Sequence, residues 1–368
     1  MSINYQNRIT TLKNNLNEKG FDVAMITSPA NVFYYTGFHS DPHERFMALV
    51  IDNRIDDFLL FVPALDKEIA EDESFVKNII SISDEQDPFA ILQAKLGENI
   101  TRFGLEWKVV SMFQHNLLSS IFPNATYGDI QPIIHSQRLN KSRSEIVYLQ
   151  EAVDIIEKVL AEGIKKVRIG MTEAELVAEL EYLMKKFGAA GPSFSTIVLS
   201  GEKSALPHGM PGQRHFKQGD FLLIDFGVIT SNGYCSDTTR TFIIGEASEK
   251  QKEIYDIVLQ SNQAGINAVK AGVPLKTFDI AARNVIQQSG YGDYFNNRVG
   301  HGLGIEVHEE PSVHQNNEQL ADKGLLFTIE PGIYIPNYGG VRIEDEVYIN
   351  ENGGAEVLTS FPRELQLL

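Results

Sequence analysis

Hydrophobic positions in the first third of the chain alternate between helical spacing and short apolar runs. The N-terminal segment places Ile9, Leu12 and Leu16 on one helical face, and Gly20 predicts the end of that helix. The strand-type runs VAMIT, FMALVID and FLLFVP follow, and amphipathic segments then alternate with further short strands. Residues 28–37, after VAMIT, are interpreted as a loop and a turn. The alternation predicts an α/β domain.

The polar segment HSQRLNKSRS predicts a junction between two domains, residues 1–135 and residues 136–368. Beyond the junction, apolar residues at helical spacing predict a long amphipathic helix over 145–167. Thr172 and Glu175 have the T-x-x-E spacing of a capping box, which predicts the start of a second helix.

The second domain contains an internal repeat. The residues that recur in its two helix pairs are Gly163 with Gly265, Ile164 with Ile266, Val167 with Val269, Gly170 with Gly272, and Gly188 with Gly290. The strand pairs that follow also match, because Asp225 and Asp237 have counterparts in Glu330 and Glu344. The offset between the halves changes only across loops, where insertions are tolerated. The sequence therefore predicts a duplicated α+β domain with a pseudo-twofold axis near these carboxylates.

The segment 219–242 predicts two apolar strands folded back on each other, with one aspartate in each. A carboxylate in an apolar strand is destabilising unless it is paired or bound to a metal. We expect four acids to converge from four strands onto one sheet face, namely Asp225, Asp237, Glu330 and Glu344. A single buried aspartate is ordinarily a satisfied hydrogen-bonding group, but four acids in matching positions are not explained in that way. The nearby Arg240 and Arg342 are too few to neutralise them, whereas two divalent cations would, and oxygen ligands suit Mn²⁺.

A glycine-rich stretch, GHGLGIEVHEEP, supplies candidate histidines. No apolar helix opens after its glycines, so a dinucleotide-binding loop is not predicted, and the spacing of a zinc-binding HExxH helix is absent from the sequence. The glycines instead allow backbone to pass close to a metal centre. His301, between two glycines, is a candidate nitrogen ligand, and His308 is a candidate hydrogen-bond donor beside it. His208, in Pro-His-Gly before the first strand pair, has little specificity on its own.

Composition narrows the class of protein. A net charge of −17 argues against a nucleic-acid partner or an anionic membrane surface. No apolar run approaches the length of a membrane-spanning helix, and the N-terminus has no apolar core of the secretory type. The single cysteine, Cys235, excludes an internal disulfide and fits a reducing compartment. We therefore expect a cytoplasmic protein, and we interpret Cys235 as a packing residue because no histidine is placed to activate it.

The motifs IDFG…GYCSDTTRTF, GHGLGIEVHEEP, FTIEPGIY and GGVRIEDEV together resemble those of the metallopeptidases with the pita-bread fold. The resemblance is to Xaa-Pro dipeptidases (prolidases) and aminopeptidases P, with methionine aminopeptidases more distant. In the first domain, PANVFYYTGF resembles the creatinase/prolidase N-terminal domain. The fold that this resemblance implies is an α/β N-terminal domain followed by a duplicated α+β catalytic domain.

The resemblance also implies roles for particular residues. The implied metal ligands are Asp225, Asp237, His301, Glu330 and Glu344. Asp237 and Glu344 would bridge two ions, Asp225 would bind one of them, and His301 with Glu330 would bind the other.

The implied catalytic residues outside the bridging pair are His208, His308, Glu330 and Arg342. The two histidines would contact the substrate and stabilise the tetrahedral intermediate, and Arg342 would support the last glutamate. A hydroxide that bridges the ions would attack the scissile carbonyl while Glu330 moves the proton.

The implied activity is hydrolysis of Xaa-Pro bonds, and two substrate lengths remain open. A prolidase would cleave Xaa-Pro dipeptides, whereas an aminopeptidase P would act on longer Xaa-Pro-Xaa peptides. A metal-free creatinase-like hydrolase or binding module is disfavoured because all five ligand positions are occupied by ligand residues. Mn²⁺ is the expected metal, with Co²⁺ and Zn²⁺ as alternatives, and a homodimer is expected from the resemblance.

Overall fold

The structure is a computed structural model that describes residues 3–55 and 57–368. The chain divides into two compact units, one formed by residues up to 138 and one by residues 139–368. Among the described residues, every helix is too short or too polar to cross a membrane.

The N-terminal unit is built around a six-stranded mixed sheet in the order β4-β3-β2-β1-β5-β6. Its strands are β1 Val23–Ile26, β2 Ala48–Asp52, β3 Asp57–Pro63, β4 Ile79–Ile82, β5 Arg102–Leu105 and β6 Thr126–Asp129. Its helices are α1 Tyr5–Glu18, α2 Pro29–Thr36, α3 Lys67–Glu73, α4 Pro88–Leu96, α5 Met112–Ile121 and α6 Gln131–Leu139. Strands β1, β5 and β6 run parallel, whereas β1, β2 and β3 pair antiparallel. The predicted α/β domain is confirmed.

Helix α2 corrects the interpretation of residues 28–37 as a loop and a turn. Pro29 occupies the first turn, where its missing N–H costs nothing, and Gly37 ends the helix with a φ of 78°. The carboxylate of Glu106 accepts the backbone N–H of Ser28 at 2.9 Å, just before the helix begins. That contact stabilises the start of the helix and comes from a residue far away in sequence, in addition to the local signals of Pro29 and Gly37.

The second unit consists of helix pairs and antiparallel sheets. Its helices are α7 Arg143–Gly163, α8 Glu173–Lys186, α9 Glu249–Ala268 and α10 Lys276–Gln288. Its strands are β7 Gly191–Pro192, β8 Ile197–Ser200, β9 Phe221–Phe226, β10 Val228–Ile229, β11 Thr238–Ile243, β12 Gly300–Gly302, β13 Glu309–Val313, β14 Leu326–Ile329, β15 Gly332–Ile335, β16 Gly339–Arg342, β17 Asp345–Ile349 and β18 Ala355–Val357. The larger sheets have the orders β11-β9-β8 and β13-β12-β14-β17-β18.

The two halves of this unit bury separate cores of the same kind. In the first half, apolar residues of α7 and α8 pack with residues of β9 and β11. In the second half, α9 and α10 pack with residues of β14, β15 and β17. Each half thus combines one helix pair with antiparallel strands, as the repeat in the sequence predicted.

The recurring glycines have matching structural roles. A Cβ on Gly163 would lie 2.4 Å from Leu180 of the partner helix, and a Cβ on Gly265 would lie 2.9 Å from Ile329. Both glycines therefore allow a close approach of packed elements. Gly170 and Gly272 have φ values of 84° and 83°, a backbone conformation that other residues rarely adopt. The glycines that recur in the sequence therefore have the same backbone geometry in both halves.

The hairpin predicted over residues 219–242 is formed by β9 and β11, which pair antiparallel with Thr239 opposite Asp225. Between them, the short strand β10 pairs with β7 instead of continuing the hairpin. The predicted turn region remains closed, because Gly233 donates its N–H to the carbonyl of Thr230 at 2.9 Å.

Candidate metal centre

The candidate ligands come from ends of several strands. Asp225 lies in β9, Asp237 directly precedes β11, His301 lies in β12, Glu330 directly follows β14, and Glu344 lies between β16 and β17. The expectation that four strands present the acids on one sheet face is therefore wrong in detail. Three of the acids lie at strand ends, and the strands belong to different sheets.

The structure brings the ligand atoms of these residues close together. One group, whose atoms all lie within 4.8 Å of one another, consists of Asp225, Asp237 and Glu344. A second group with the same limit consists of His301, Glu330 and Glu344. These two groups share Glu344, so the arrangement has the form of two adjacent cation sites with a common carboxylate. A third group with the same limit consists of Asp237, His301 and His308.

The carboxylates strongly perturb one another. Burial and then the charge of Glu344 raise the pKa of Asp237 well above its usual value. Burial and then the charge of Glu330 raise the pKa of Glu344 in the same direction. Burial, opposed by Arg342, raises the pKa of Glu330 to about 7. Ionising the whole cluster is therefore unfavourable unless additional positive charge is present.

His301 presents one ring nitrogen to the acids. Its Nδ1 lies 3.1 Å from the carbonyl oxygen of Gly302, and this contact favours the tautomer with the proton on Nδ1. Its Nε2 then directs a lone pair toward Glu330 Oε1 at 3.3 Å and Asp237 Oδ2 at 3.5 Å. Burial, and then His308, lower the pKa of His301 to about 3, so the ring is neutral. A neutral nitrogen that faces carboxylate oxygens requires a proton or a cation between them.

Arg342 supports two of the acids. Its guanidinium donates to Asp225 Oδ2, to Thr239 Oγ1 at 3.0 Å and to the hydroxyl of Tyr334 at 2.7 Å. Thr239 in turn donates to Glu344 Oε2 at 2.7 Å. Arg342 therefore contacts one acid directly and orients another through a threonine.

Arg240 has a different role, although its sequence position also places it near the acids. Its Nη2 lies 2.9 Å from Oδ1 of Asp345, and both side chains are almost completely buried. Its charge is therefore balanced by a carboxylate outside the cluster. This leaves Arg342 as the arginine that hydrogen-bonds a carboxylate of the cluster among the described residues.

The cluster lines a cavity of about 750 Å³. His208 and His308 also line this cavity, and the ring of His308 packs edge-on against His301 with the ring centroids 4.2 Å apart. Apolar lining is contributed by Phe194, Ile197, Leu206 and Pro207. The cavity therefore combines apolar walls with histidines next to the acidic cluster, which suits a peptide whose carbonyl is to be polarised.

Arg298 is a cavity residue that the sequence reasoning missed. Its Nη1 donates to Ser312 Oγ at 3.1 Å, which is the only side-chain hydrogen bond of its guanidinium within the described ranges. Its position three residues before His301 could have indicated it, because residues close in sequence to a metal ligand often lie near the same site. Thr239 and Tyr334, which contact Arg342, were also missed.

Cys235 is buried, and its Sγ lies 3.2 Å from the carbonyl oxygen of Ile305. Burial, and then the charge of Glu309, raise the pKa of this thiol far above its usual range. The thiolate is therefore not populated near neutral pH, in agreement with a packing role.

Comparisons with known proteins identify both units. The Creatinase/Prolidase N-terminal domain matches residues 8–140, and Metallopeptidase family M24, a family that depends on two metal ions, matches residues 147–351. A Bacillus subtilis (strain 168) relative named "Putative dipeptidase YkvY" is 41% identical over 98% of this chain and 100% of its own length.

Solved structures give the same result. A prolidase from Thermococcus sibiricus is 34% identical, with a TM-score of 0.93 and full coverage of both chains. An X-Pro aminopeptidase from Thermotoga maritima is also 34% identical, with a TM-score of 0.86 over 95% of this chain and 98% of its own. The domain matches, the relatives and the shared fold together show that this chain is a peptidase belonging to Metallopeptidase family M24.

Proposed function

We propose that the protein is a prolidase that hydrolyses Xaa-Pro dipeptides with two Mn²⁺ ions. The position of Arg298 supports a dipeptide rather than a longer peptide as the substrate. Its guanidinium lines the cavity beside His301 and has no carboxylate partner within the described ranges. In a dipeptide, the free carboxylate lies one residue beyond the scissile bond, and a guanidinium near the metal centre is suited to bind it in bidentate fashion.

The proposed ligands are Asp225, Asp237, His301, Glu330 and Glu344. Two features of the chain support this assignment. Oδ1 of Asp225 is buried without a hydrogen-bond partner among the described residues. Nε2 of His301 faces carboxylate oxygens. Both atoms are satisfied by a bound cation, and a set of carboxylates with one imidazole suits Mn²⁺, with Co²⁺ or Zn²⁺ as alternatives.

Bound divalent ions lower the pKa of water and offset the charge of the carboxylates. The chain supplies the remaining functions. Glu330, at the edge of the cluster, receives and returns the proton during hydrolysis. His208 and His308 line the cavity beside the proposed ligands, where they can contact the peptide and stabilise the developing oxyanion. Arg342 donates to Asp225 and holds that carboxylate in place.

An aminopeptidase P is the second candidate, and the similarity to the Thermotoga maritima X-Pro aminopeptidase favours it. The deciding experiment compares kcat/KM for an Xaa-Pro dipeptide, the same dipeptide amidated at its C-terminus, and an Xaa-Pro-Xaa tripeptide. A prolidase should prefer the free dipeptide. A preference for the tripeptide would support an aminopeptidase P, and absence of cleavage of all three would refute both.

The proposal includes a cytoplasmic homodimer with no nucleic-acid or membrane partner. The exposed side chains of Trp107, Met112 and Phe113 in the N-terminal unit support association, because exposed large apolar groups favour contact with another protein. Light scattering coupled to size-exclusion chromatography tests the oligomeric state. A mass of 41.1 kDa would show a monomer and contradict the dimer.

A further inference from the structure

The two cavity histidines lie on loops. His308 lies between β12 and β13, and His208 lies in the irregular segment between residues 205 and 213. Both side chains are exposed to the cavity. His308 directly precedes β13, whose Glu309 pairs with Gly302, so the position of each histidine depends on the contacts that fix the rest of its loop.

Glu309 fixes the loop that carries His308. Its Oε1 accepts the backbone N–H of Ile305 at 2.9 Å and of Glu306 at 3.1 Å. Its Oε2 lies 2.9 Å from Nζ of Lys141, and the two side chains are only 6% and 2% exposed. The carboxylate is thus anchored on one side by a buried lysine, and on the other side it binds the two N–H groups that precede His308.

Glu173 has the same arrangement beneath the loop that carries His208. It is fully buried at the start of α8, and it accepts the backbone N–H of Gly212 at 3.0 Å. Lys203 pairs with the same carboxylate and also donates to the carbonyl of Met210 at 3.0 Å. A buried carboxylate with a lysine partner again binds the backbone of a histidine loop.

We infer that Glu309 and Glu173 are positioning residues that set the orientation of His308 and His208 toward the bound peptide. The inference rests on the proposed role of these histidines in contacting the substrate. Neither carboxylate lines the cavity, so neither touches the peptide itself. A displacement of a substrate-contacting group by about 1 Å can reduce the rate by about a hundredfold.

The test uses matched double variants, because removing only one partner would leave an unpaired buried charge. K141M/E309Q retains a carbonyl oxygen that can accept the loop N–H groups, whereas K141M/E309M has no such acceptor. We expect kcat for the Xaa-Pro dipeptide to fall by about ten- to a hundredfold in K141M/E309M. It should fall much less in K141M/E309Q, while calorimetry should show unchanged Mn²⁺ affinity in both.

A substrate-independent measurement accompanies the kinetics. Hydrogen exchange of the amides of Ile305 and Glu306 should be faster in K141M/E309M than in K141M/E309Q. Equal exchange and equal kcat in the two variants would overturn the inference, as would a parallel loss of Mn²⁺ affinity. If wild-type protein cleaves no Xaa-Pro dipeptide, the proposed function fails, but the exchange measurement still decides whether Glu309 orders the loop. The pair K203M/E173Q and K203M/E173M tests Glu173 through the amide of Gly212.

Discussion

His301 and Glu330 face each other with Nε2 and Oε1 3.3 Å apart, and their pKa values move in opposite directions. Burial and then His308 lower the pKa of the histidine to about 3, whereas burial, opposed by Arg342, raises that of the glutamate to about 7. Two hydrogen-bonding groups in contact would ordinarily share a proton as an ion pair. Here burial disfavours both charged forms, so the carboxyl group of Glu330 keeps its proton until the pH nears 7 or a cation displaces it.

Cation binding should therefore strengthen as the pH rises. The ligand carboxylates must lose their protons before they bind a metal, and that of Glu330 does so near pH 7. We expect Mn²⁺ affinity, measured by calorimetry, to rise up to about tenfold per pH unit between pH 5.5 and 7 for each proton displaced. Equal affinity at pH 5.5 and pH 8 would contradict this prediction.

The metal-free protein should show the opposite dependence in its stability. The folded pKa of Glu330 lies above its unfolded value of 4.5. The resulting stabilisation is complete below pH 4.5 and is lost as the pH rises to about 7. Chelated protein should therefore unfold at a lower urea concentration at pH 7.5 than at pH 5.5, and Mn²⁺ should remove that difference. A higher midpoint at pH 7.5 without metal would show that other groups dominate.

Asp237 should be required for both ions. Its ligand atoms lie within 4.8 Å of those of Asp225 and Glu344 in one group, and within 4.8 Å of those of His301 and His308 in another. We expect Asp237→Ala to abolish dipeptide hydrolysis and to reduce the metal content below two ions per chain, measured by elemental analysis. Exhaustive chelation of the wild type should have the same effect on hydrolysis, and undiminished activity after chelation would contradict a metal-dependent mechanism.

Arg298 should determine the affinity for the free carboxylate of the substrate. A charged hydrogen-bonded pair contributes about 1.5–3 kcal/mol, so Arg298→Gln should raise KM for the dipeptide by about ten- to a hundredfold. The amidated dipeptide should be unaffected, and Arg298→Lys should be intermediate because lysine keeps the charge without the planar fork. A loss of equal size for both substrates would show that Arg298 acts on the metal centre instead.

Arg240 should contribute strongly to stability. Its five N–H groups meet five acceptors, which are the carbonyls of Thr239, Glu344, Phe361 and Pro362 and the carboxylate of Asp345. Replacing a buried charge whose partner remains costs about 3–5 kcal/mol. Arg240→Met should lower the free energy of unfolding by that amount, measured with urea. The control is Arg363→Met, which also contacts Asp345 but is 26% exposed, and it should cost clearly less.

Gly300 should tolerate no side chain. A Cβ there would lie 1.8 Å from the carbonyl oxygen of Thr328 in the neighbouring strand. Gly300→Ala must therefore displace β12 and with it His301, so both thermal stability and Mn²⁺ affinity should fall. Gly354 is a matched control, because no atom lies within 4 Å of the position of its Cβ. Similar losses in both variants would mean that the close approach is not the cause.

Much of the fold could be predicted from the sequence because its signals are local or repeated. Period and capping residues indicated helices such as α1 and α8, and matching glycines indicated the duplication. Helix α2 was missed although Pro29 and Gly37 are local start and stop signals, and the contact with Glu106 that stabilises its start joins residues 78 positions apart. Local patterns carry no information about a partner so distant.

The same limit explains what was missed at the site. The acids could be identified because a carboxylate within an apolar strand is unfavourable unless it has a partner. His301 could be identified from its position in a recognisable motif. Arg298, Thr239 and Tyr334 have ordinary local sequences, and only the meeting of several sheets brings them to the cluster. Glu173 and Glu309 likewise gain their partners Lys203 and Lys141 through tertiary contacts.

The buried Arg240 also bears on when the centre can form during synthesis. Asp225 and Asp237 leave the ribosome long before Glu344, and the carbonyls of Phe361 and Pro362 that complete the shell of Arg240 leave later still. Residues 366–368 then hydrogen-bond the backbone of Ile243 beside the same strand. In a nascent chain that lacks this segment, two N–H groups of the buried Arg240 have lost their carbonyl acceptors. We therefore expect two ions to be retained only after residues 361 and 362 are available, and a ribosome-stalled chain that ends before residue 361 should not retain both.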